Sequence, residues 1–289
     1  MTSAAAPPIA RALSGNTKVA GLIGWPVSHS RSPRLHGFWL ARHGIDGAYV
    51  PLPVAPENLA AAVHGLAAAG FAGVNVTIPH KQAVLALCDD VDGIARRIGA
   101  VNLLVFQGGR IGGSNTDSFG FMESLKTAAP AWTAARAPAV LLGAGGGARA
   151  VAVGLLDAGV PELRLCNRNR RRAEQLAAEI GGPITVLAWE ERAAALDGAG
   201  LLVNATSLGM GGQPPLDLAL DALPHDAAVA DLVYSPLETA LLAAARAKGC
   251  TGVDGLGMLL HQARPCFAAW FGPDPQVTAE LRAFVLGEG

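Results

Sequence analysis

Lys81 closes the segment Asn75-Val76-Thr77-Ile78-Pro79-His80-Lys81. Asn102 follows in Ala100-Val101-Asn102, and Asp117 in Asn115-Thr116-Asp117. A lysine paired with an aspartate near a ligand hydroxyl is a proton-transfer device. Most lysines are solvated surface residues; position sets this one apart. The polar clusters follow apolar, strand-like runs: Phe71 to Val76, then Leu103 to Phe106 and on through Ile111. Strand ends are where the side chains of an α/β domain converge on a small polar ligand. Lys81 and Asp117 are therefore the expected acid–base pair, if the chain also holds a redox cofactor.

The run Gly143-Ala144-Gly145-Gly146-Gly147-Ala148 supplies that cofactor's signature. It follows the strand-like Ala139-Val140-Leu141-Leu142 and opens a helical stretch, so it fits G-x-G-x-x-G/A. The first Gly permits a tight turn, and the second lets the backbone approach a pyrophosphate. The small last residue lets helix and strand pack closely, and the helix N-terminus attracts the phosphate charge. About 20 residues on, an NAD-binding chain carries an acid for the ribose 2′-hydroxyl. Here the strand Leu163 to Cys166 ends in Asn167-Arg168-Asn169, with no acid. Arg168 and Arg172 are candidates to clamp a 2′-phosphate, because a guanidinium fork matches phosphate geometry. Cations at a helix start oppose its dipole, and a bound anion offsets that. NADP is the expected cofactor.

The elements that must position these groups alternate. Val19–Ile23, Ala48–Val54 and Gly73–Val76 are strand-like, with Pro33–His43 and Pro56–Ala69 helix-like between them. Ser118–Ala129 is helix-like, and Pro130–Pro138 breaks the pattern. A second series follows: Val140–Leu142, Ala148–Ala158, Leu163–Cys166, Arg171–Ile180, Leu201–Asn204, Val229–Leu232 and Leu237–Lys248. Gly257–Phe271 and Thr278–Leu286 close the chain as helices. This βαβα rhythm predicts α/β sheets with helices on both faces. Two domains are expected for 289 residues, meeting near Asp117 with a cleft between them.

Bulk properties narrow the partners. A net charge of −1 gives no global field for nucleic acid or an anionic membrane, and the one arginine run has no aromatic companions. No long uncharged apolar run predicts a membrane span. The four cysteines, Cys88, Cys166, Cys250 and Cys266, are scattered without a C-x-x-C, as in a reduced cytosolic protein with no zinc site. The Ala/Pro/Ser-rich stretch from Met1 to Thr17 reads as a loose tail. His29, His36 and His43 are spaced too widely for a shared metal, and His80 reads as exposed. No metal is expected.

Taken in order, these segments resemble the shikimate dehydrogenase family. Gly24-Trp25-Pro26-Val27-Ser28-His29-Ser30-Arg31-Ser32-Pro33 resembles its substrate-carboxylate loop, and Asn75–Lys81 its catalytic segment. Gly99–Asn102 and Asn115–Asp117 resemble its next two signatures. The Gly143 loop, Asn167-Arg168, Asn204-Ala205-Thr206 and Asp254-Gly255-Leu256-Gly257-Met258 on to Gln262 complete the set, from about Val19 to about Phe271. The resemblance implies reversible NADPH-dependent reduction of 3-dehydroshikimate to shikimate, in the cytoplasm, on the route to chorismate and the aromatic amino acids. It implies an N-terminal substrate domain with a mostly parallel sheet, 1–117 plus 255–289, and a C-terminal Rossmann-type domain, 118–254. Ser30 and Ser32 would bind the substrate carboxylate, assisted by Tyr234. Thr77, Asn102 and Gln262 would hold ring hydroxyls, and Lys81 and Asp117 would be catalytic. Gly143, Ala144, Gly145, Gly146, Gly147, Asn167, Arg168 and Arg172 would hold NADP, with Leu232, Gly255 and Met258 bordering its nicotinamide. Leu103, Ser114, Ser118 and Asn169 depart from the family pattern, where Thr, Asp, Gly and Thr are usual. Alternative activities are a quinate/shikimate or aminoshikimate dehydrogenase, or a silent ligand-sensing relative. Monomer and homodimer are both compatible with the sequence.

Overall fold

A computed structural model describes residues 13–287. The first α/β unit begins with β1 (Lys18–Gly24), α1 (Ser32–Arg42), β2 (Gly47–Pro53), α2 (Leu59–Ala68) and β3 (Gly73–Val76). Pro33 sits in the first turn of α1, where its missing N–H costs nothing and its φ is already helical. A short strand β4 (Asp90–Val91) and α3 (Gly93–Ile98) follow, then β5 (Leu103–Gln107) and β6 (Arg110–Ser114). The sequence read this last stretch as one run. The chain turns back at Gly108 and Gly109, whose φ values are 59° and 75°; two successive positive φ angles make a tight hairpin turn. The resulting sheet has the order β2-β1-β3-β5-β6-β4. It is parallel except where β5 runs against β3 and β6.

After α4 (Asp117–Ala128) the second unit runs β7 (Ala139–Leu142), α5 (Gly146–Asp157), β8 (Leu163–Cys166), α6 (Arg170–Ile180), β9 (Ile184–Leu187), β10 (Leu201–Asn204), β11 (Ala228–Asp231), α7 (Ala240–Ala247) and β12 (Thr251–Val253). Its sheet, β12-β11-β10-β7-β8-β9, is parallel throughout. Every residue of β7, β10 and β11 is buried, as expected of strands covered on both faces. The order reverses between β7 and β10, and ligands of such sheets sit in the crevice at that reversal.

The chain then returns through α8 (Gly255–Phe271) and α9 (Ala279–Leu286). Leu256, Leu260, Ala263, Phe267 and Trp270 pack with Ala20, Leu22 and Leu103 of the first sheet. α4 instead places Phe121 and Leu125 in the core of the second. The two helices touch closely because Gly120 has no side chain; a Cβ there would stand 2.5 Å from Gln262 Cβ and 2.8 Å from Met258 O. Of the expected tail, residues 1–12 lie outside the described residues. Ser14 and Thr17 are tied to Asp46 through their hydroxyls at 2.5 and 2.6 Å, so this end of the stretch is fastened to the body. Among the described residues no helix is long and apolar enough to cross a membrane.

Candidate active site

Lys81 lies just past the C-terminal end of β3. Val101 N donates to its carbonyl at 2.7 Å. The neighbouring His80 is buried, against the exposure expected from sequence; its ring Nε2 lies 2.7 Å from Val54 O. A ring nitrogen held by a main-chain carbonyl fastens the residue beside Lys81.

Lys81 Nζ donates to Asp117 Oδ2 at 2.5 Å. Asp117 opens α4, where the helix dipole favours a carboxylate. Its other oxygen, Oδ1, accepts from Asn102 Nδ2 at 2.8 Å. Its N–H donates to Asn115 Oδ1 at 3.0 Å, and Asn115 Nδ2 donates to Ala100 O at 2.8 Å. The side chains are 17% exposed for Lys81 and 5% for Asp117. A shielded ion pair holds together only when its spare lone pairs are satisfied, and Asn102 satisfies them here.

Asn102 is the hub of a wider network. Its Nδ2 reaches Thr116 Oγ1 at 3.0 Å and Gln262 Oε1 at 3.2 Å, and its Oδ1 accepts from Thr116 N at 2.8 Å. Asn75 Nδ2 donates to Asn102 O at 3.0 Å and contacts Cys266 Sγ at 3.2 Å. Tyr49 OH donates to Asn75 Oδ1 at 2.7 Å. Burial pushes the Cys266 thiol up to about 11, so it stays protonated behind the network. Tyr49, Thr116 and Cys266 were not singled out from sequence. Thr116 sits inside a segment that was; Tyr49 and Cys266 lie in apolar runs with no local sign of a polar partner.

The carboxylate candidates stand at the start of α1. Ser32 is buried, and its N–H reaches Ser30 Oγ at 3.2 Å. Burial raises the Tyr49 hydroxyl well above its ordinary value, with Ser32 opposing. Thr77, half-buried, donates its N–H to Ile23 O at 2.9 Å at the adjoining strand end. Tyr234 packs on the core of the first sheet although it belongs to the loop after β11. Burial raises its hydroxyl, with Arg31 opposing.

Asp231 fixes that loop. Its Oδ1 accepts from Asn204 Nδ2 and Val233 N, both at 3.0 Å, and its Oδ2 from Thr239 Oγ1 at 2.7 Å. Burial raises this carboxyl, against those three bonds. The staple holds Leu232 O so close to Gly255 that a Cβ there would collide with it. Asp231 was not singled out from sequence because a strand-end Asp looks like an ordinary turn residue.

Across the cleft, Gly143 has φ 113°, and a Cβ there would stand 2.8 Å from Ala205 O. The N-cap of α5 is Gly145, with no side-chain cap. The first-turn N–H groups of Gly146 and Gly147 are thus free for an anion. A Cβ at Gly146 would lie 3.3 Å from Lys81 Cδ, and one at Gly147 3.3 Å from Leu232 Cδ2. The bare loop therefore faces both the lysine and the Leu232 edge, and its residues fit a dinucleotide. Gly143 N donates to Cys166 O at 2.9 Å, which sets the end of β8 beside the loop. Asn167 Nδ2 bonds Asn169 O at 2.8 Å, and Asn169 caps α6 by accepting from Arg172 N. Arg168 and Arg172 are exposed and make no side-chain hydrogen bond or ion pair among the described residues; Arg170 pairs with Glu174 at 2.8 Å instead. Met258, half-buried, belongs to the first turn of α8.

The other departures from the family pattern have local roles. Leu103 is buried in the first core, Ser114 Oγ donates to the Asp92 carboxylate, and Ser118 packs against Gly154 of α5.

Known proteins share this fold. Residues 22–104 match the model of the shikimate dehydrogenase substrate binding domain, and residues 126–209 that of shikimate / quinate 5-dehydrogenase. A shikimate dehydrogenase (NADP(+)) of Paramagnetospirillum magneticum is 60% identical over 95% of this chain and 100% of its own length. A crystal structure of a shikimate dehydrogenase in complex with NADP+ superposes with a TM-score of 0.89 at 34% identity, covering 98% of this chain and 99% of that one. The Thermus thermophilus shikimate 5-dehydrogenase in complex with NADP(H) and shikimate gives 0.82 at 38% identity, over 93% and 98%. With a relative this similar along nearly its whole length, and with the lysine–aspartate pair facing a bare glycine loop, the chain belongs to the shikimate dehydrogenase family.

Proposed function

We propose that this protein catalyses the reversible reduction of 3-dehydroshikimate to shikimate with NADPH, in the cytoplasm, as a step of aromatic amino acid biosynthesis. The observation that carries this reading is the Lys81–Asp117 pair at 2.5 Å with Lys81 packed against Gly146. When bound, NADPH would supply a hydride to the ring ketone. Lys81 gives the resulting oxygen a proton, and takes one from the hydroxyl in reverse. Asp117 orients Lys81 with one carboxylate oxygen and is itself oriented by Asn102 through the other. Ser30, Ser32 and Tyr234 bind the substrate carboxylate, where the α1 N-terminus adds its positive end. Thr77, Asn102 and Gln262 hold the ring hydroxyls. Gly143, Ala144, Gly145, Gly146 and Gly147 cradle the pyrophosphate, Asn167 supports the adenosine side, and Arg168 and Arg172 take the 2′-phosphate. Leu232, Gly255 and Met258 border the nicotinamide. The substrate domain comprises 1–117 with 255–289, and the cofactor domain 118–254.

The test is an absorbance assay at the nicotinamide band with shikimate and quinate, each with NADP+ and NAD+. Shikimate with NADP+ is expected to give the strongest signal, and Lys81→Ala to lose about 10²–10⁴-fold in kcat. No signal with shikimate and NADP+ would sink the proposal. Near-normal kcat in Lys81→Ala would remove Lys81 from its role.

A further inference from the structure

Arg149 is 4% exposed, unusual for an arginine, and the reaction as described does not use it. It closes the first turn of α5: its N–H donates to Gly145 O at 3.0 Å, three residues after Gly146 meets Lys81. Its side chain leaves the cofactor half. Nε donates to Ile98 O, the last carbonyl of α3. Nη2 donates to Glu179 Oε2 at 2.5 Å, on α6. Gly99, at φ 69°, makes room for the guanidinium; a Cβ there would stand 2.6 Å from Nη2.

The two ends of this contact lead to the reacting groups by short routes. From Ile98 the chain runs through Gly99 to Ala100, which accepts from Asn115. Val101 next donates to Lys81 O, and Asn102 then donates to Asp117. Backward along α5 lies the glycine loop against Lys81. Glu179 lies on the helix whose first turn carries Arg172. The apolar cluster beside Arg149 is small: Ile98, Ala100, Ala150 and Val153, with Ile94 and Ile180 packed against them. A space-filling role there needs no charge, since apolar side chains replace buried ion pairs at little or no loss. The planar fork is needed where two acceptors on different elements must be held at fixed angles.

We propose that Arg149 is a positioning residue that locks the cofactor loop against the Lys81–Asp117 centre, so that cofactor binding orders the substrate side. This rests on the proposed dehydrogenase reading. Three measurements test it, the first two on Arg149→Gln, Arg149→Lys and Glu179→Gln and the third on Arg149→Ala. The first is hydrogen exchange of residues 98–102 with and without NADP+, which requires no turnover. NADP+ is expected to protect this segment in the parent protein and to leave it unprotected in Arg149→Gln, with Arg149→Lys and Glu179→Gln between. The second is the affinity for NADP+ with and without shikimate. The mutual enhancement is expected to fall about tenfold, and kcat about 10²-fold for a displaced loop, while each ligand alone binds nearly as before. Millimolar guanidinium added to Arg149→Ala is expected to restore part of kcat, and urea to restore none. Equal exchange and equal coupling in parent and Arg149→Gln would overturn the proposal. So would parallel loss of stability and both single-ligand affinities in all variants without guanidinium rescue. Absence of shikimate turnover by the parent would instead strike the dehydrogenase reading, and the exchange result would still decide the role of Arg149.

Discussion

His36 shows how a residue with no part in the chemistry shapes the site's foundation. Its ring is fully buried, stacked on Tyr49 at 4.1 Å, and neither ring nitrogen has a partner among the described residues. Burial lowers the imidazole from 6.5 to about 3. The unfolded chain takes up this proton near pH 6.5, whereas the folded one does so only near pH 3. The stability this supports is complete above pH 6.5 and drains away as pH falls toward 3, at up to about 1.4 kcal/mol per pH unit. His36→Phe keeps the stack and removes the proton. Thermal melts between pH 6.5 and 4.5 are expected to fall less steeply for the variant than for the parent; identical slopes would refute this. The sequence could not reveal His36 as buried, because its neighbours on α1 are mixed. Lys81 and Asp117 were legible because each follows an apolar run, and Asn102 because it directly precedes one. Tyr49 and Cys266 were not, since their polar partners lie far away in the chain.

Among the elements, α4 and α8 decide the geometry of the substrate side. Their close approach depends on Gly120, whose missing Cβ would run into the backbone of Met258 and Gln262. Gly120→Ala is expected to cost about 1–3 kcal/mol by overpacking. Because the backbone that moves carries Gln262, the KM for shikimate should rise more than that for NADP+. Equal KM changes, with the expected drop in melting temperature, would show that Gln262 does not read the substrate. Long elements with clear periodicity were foreseen within three residues at either end. The short β4, α3, β9 and β12 were not, because besides being short they are mostly exposed or half-buried, unlike the fully buried four-residue β3 and β10. The hairpin of β5 and β6 was read as one run because Gly108-Gly109 interrupts it for only two residues.

At the scale of the whole molecule, charge is local. The net charge of −1 gives no general attraction for a polyanion, yet Arg168 and Arg172 stand exposed beside the mouth of the glycine loop. Their proposed use is discrimination: a double Arg168→Ala, Arg172→Ala variant is expected to lose kcat/KM for NADPH by about 10²-fold or more, at roughly 1.5–3 kcal/mol per charge-assisted bond, and to keep its activity with NADH. A uniform loss with both cofactors would return these arginines to the solvated surface. The two-sheet architecture was legible from the alternation of runs. The reach of Arg149 from one half to the other was not, because an arginine within a glycine- and alanine-rich helix start looks like a surface residue.

The return of α8 to the first sheet sets an order on the making of this protein. The sheet that carries Lys81 is complete in sequence by Ser114, but the helix covering Ala20, Leu22 and Leu103 ends only at Phe271. At typical synthesis speeds that gap lasts on the order of ten seconds. Meanwhile the second sheet, contiguous from β7 to β12, emerges whole. The half of the enzyme translated first is thus the half finished last, and its bare apolar face is what a chaperone would meet on the ribosome.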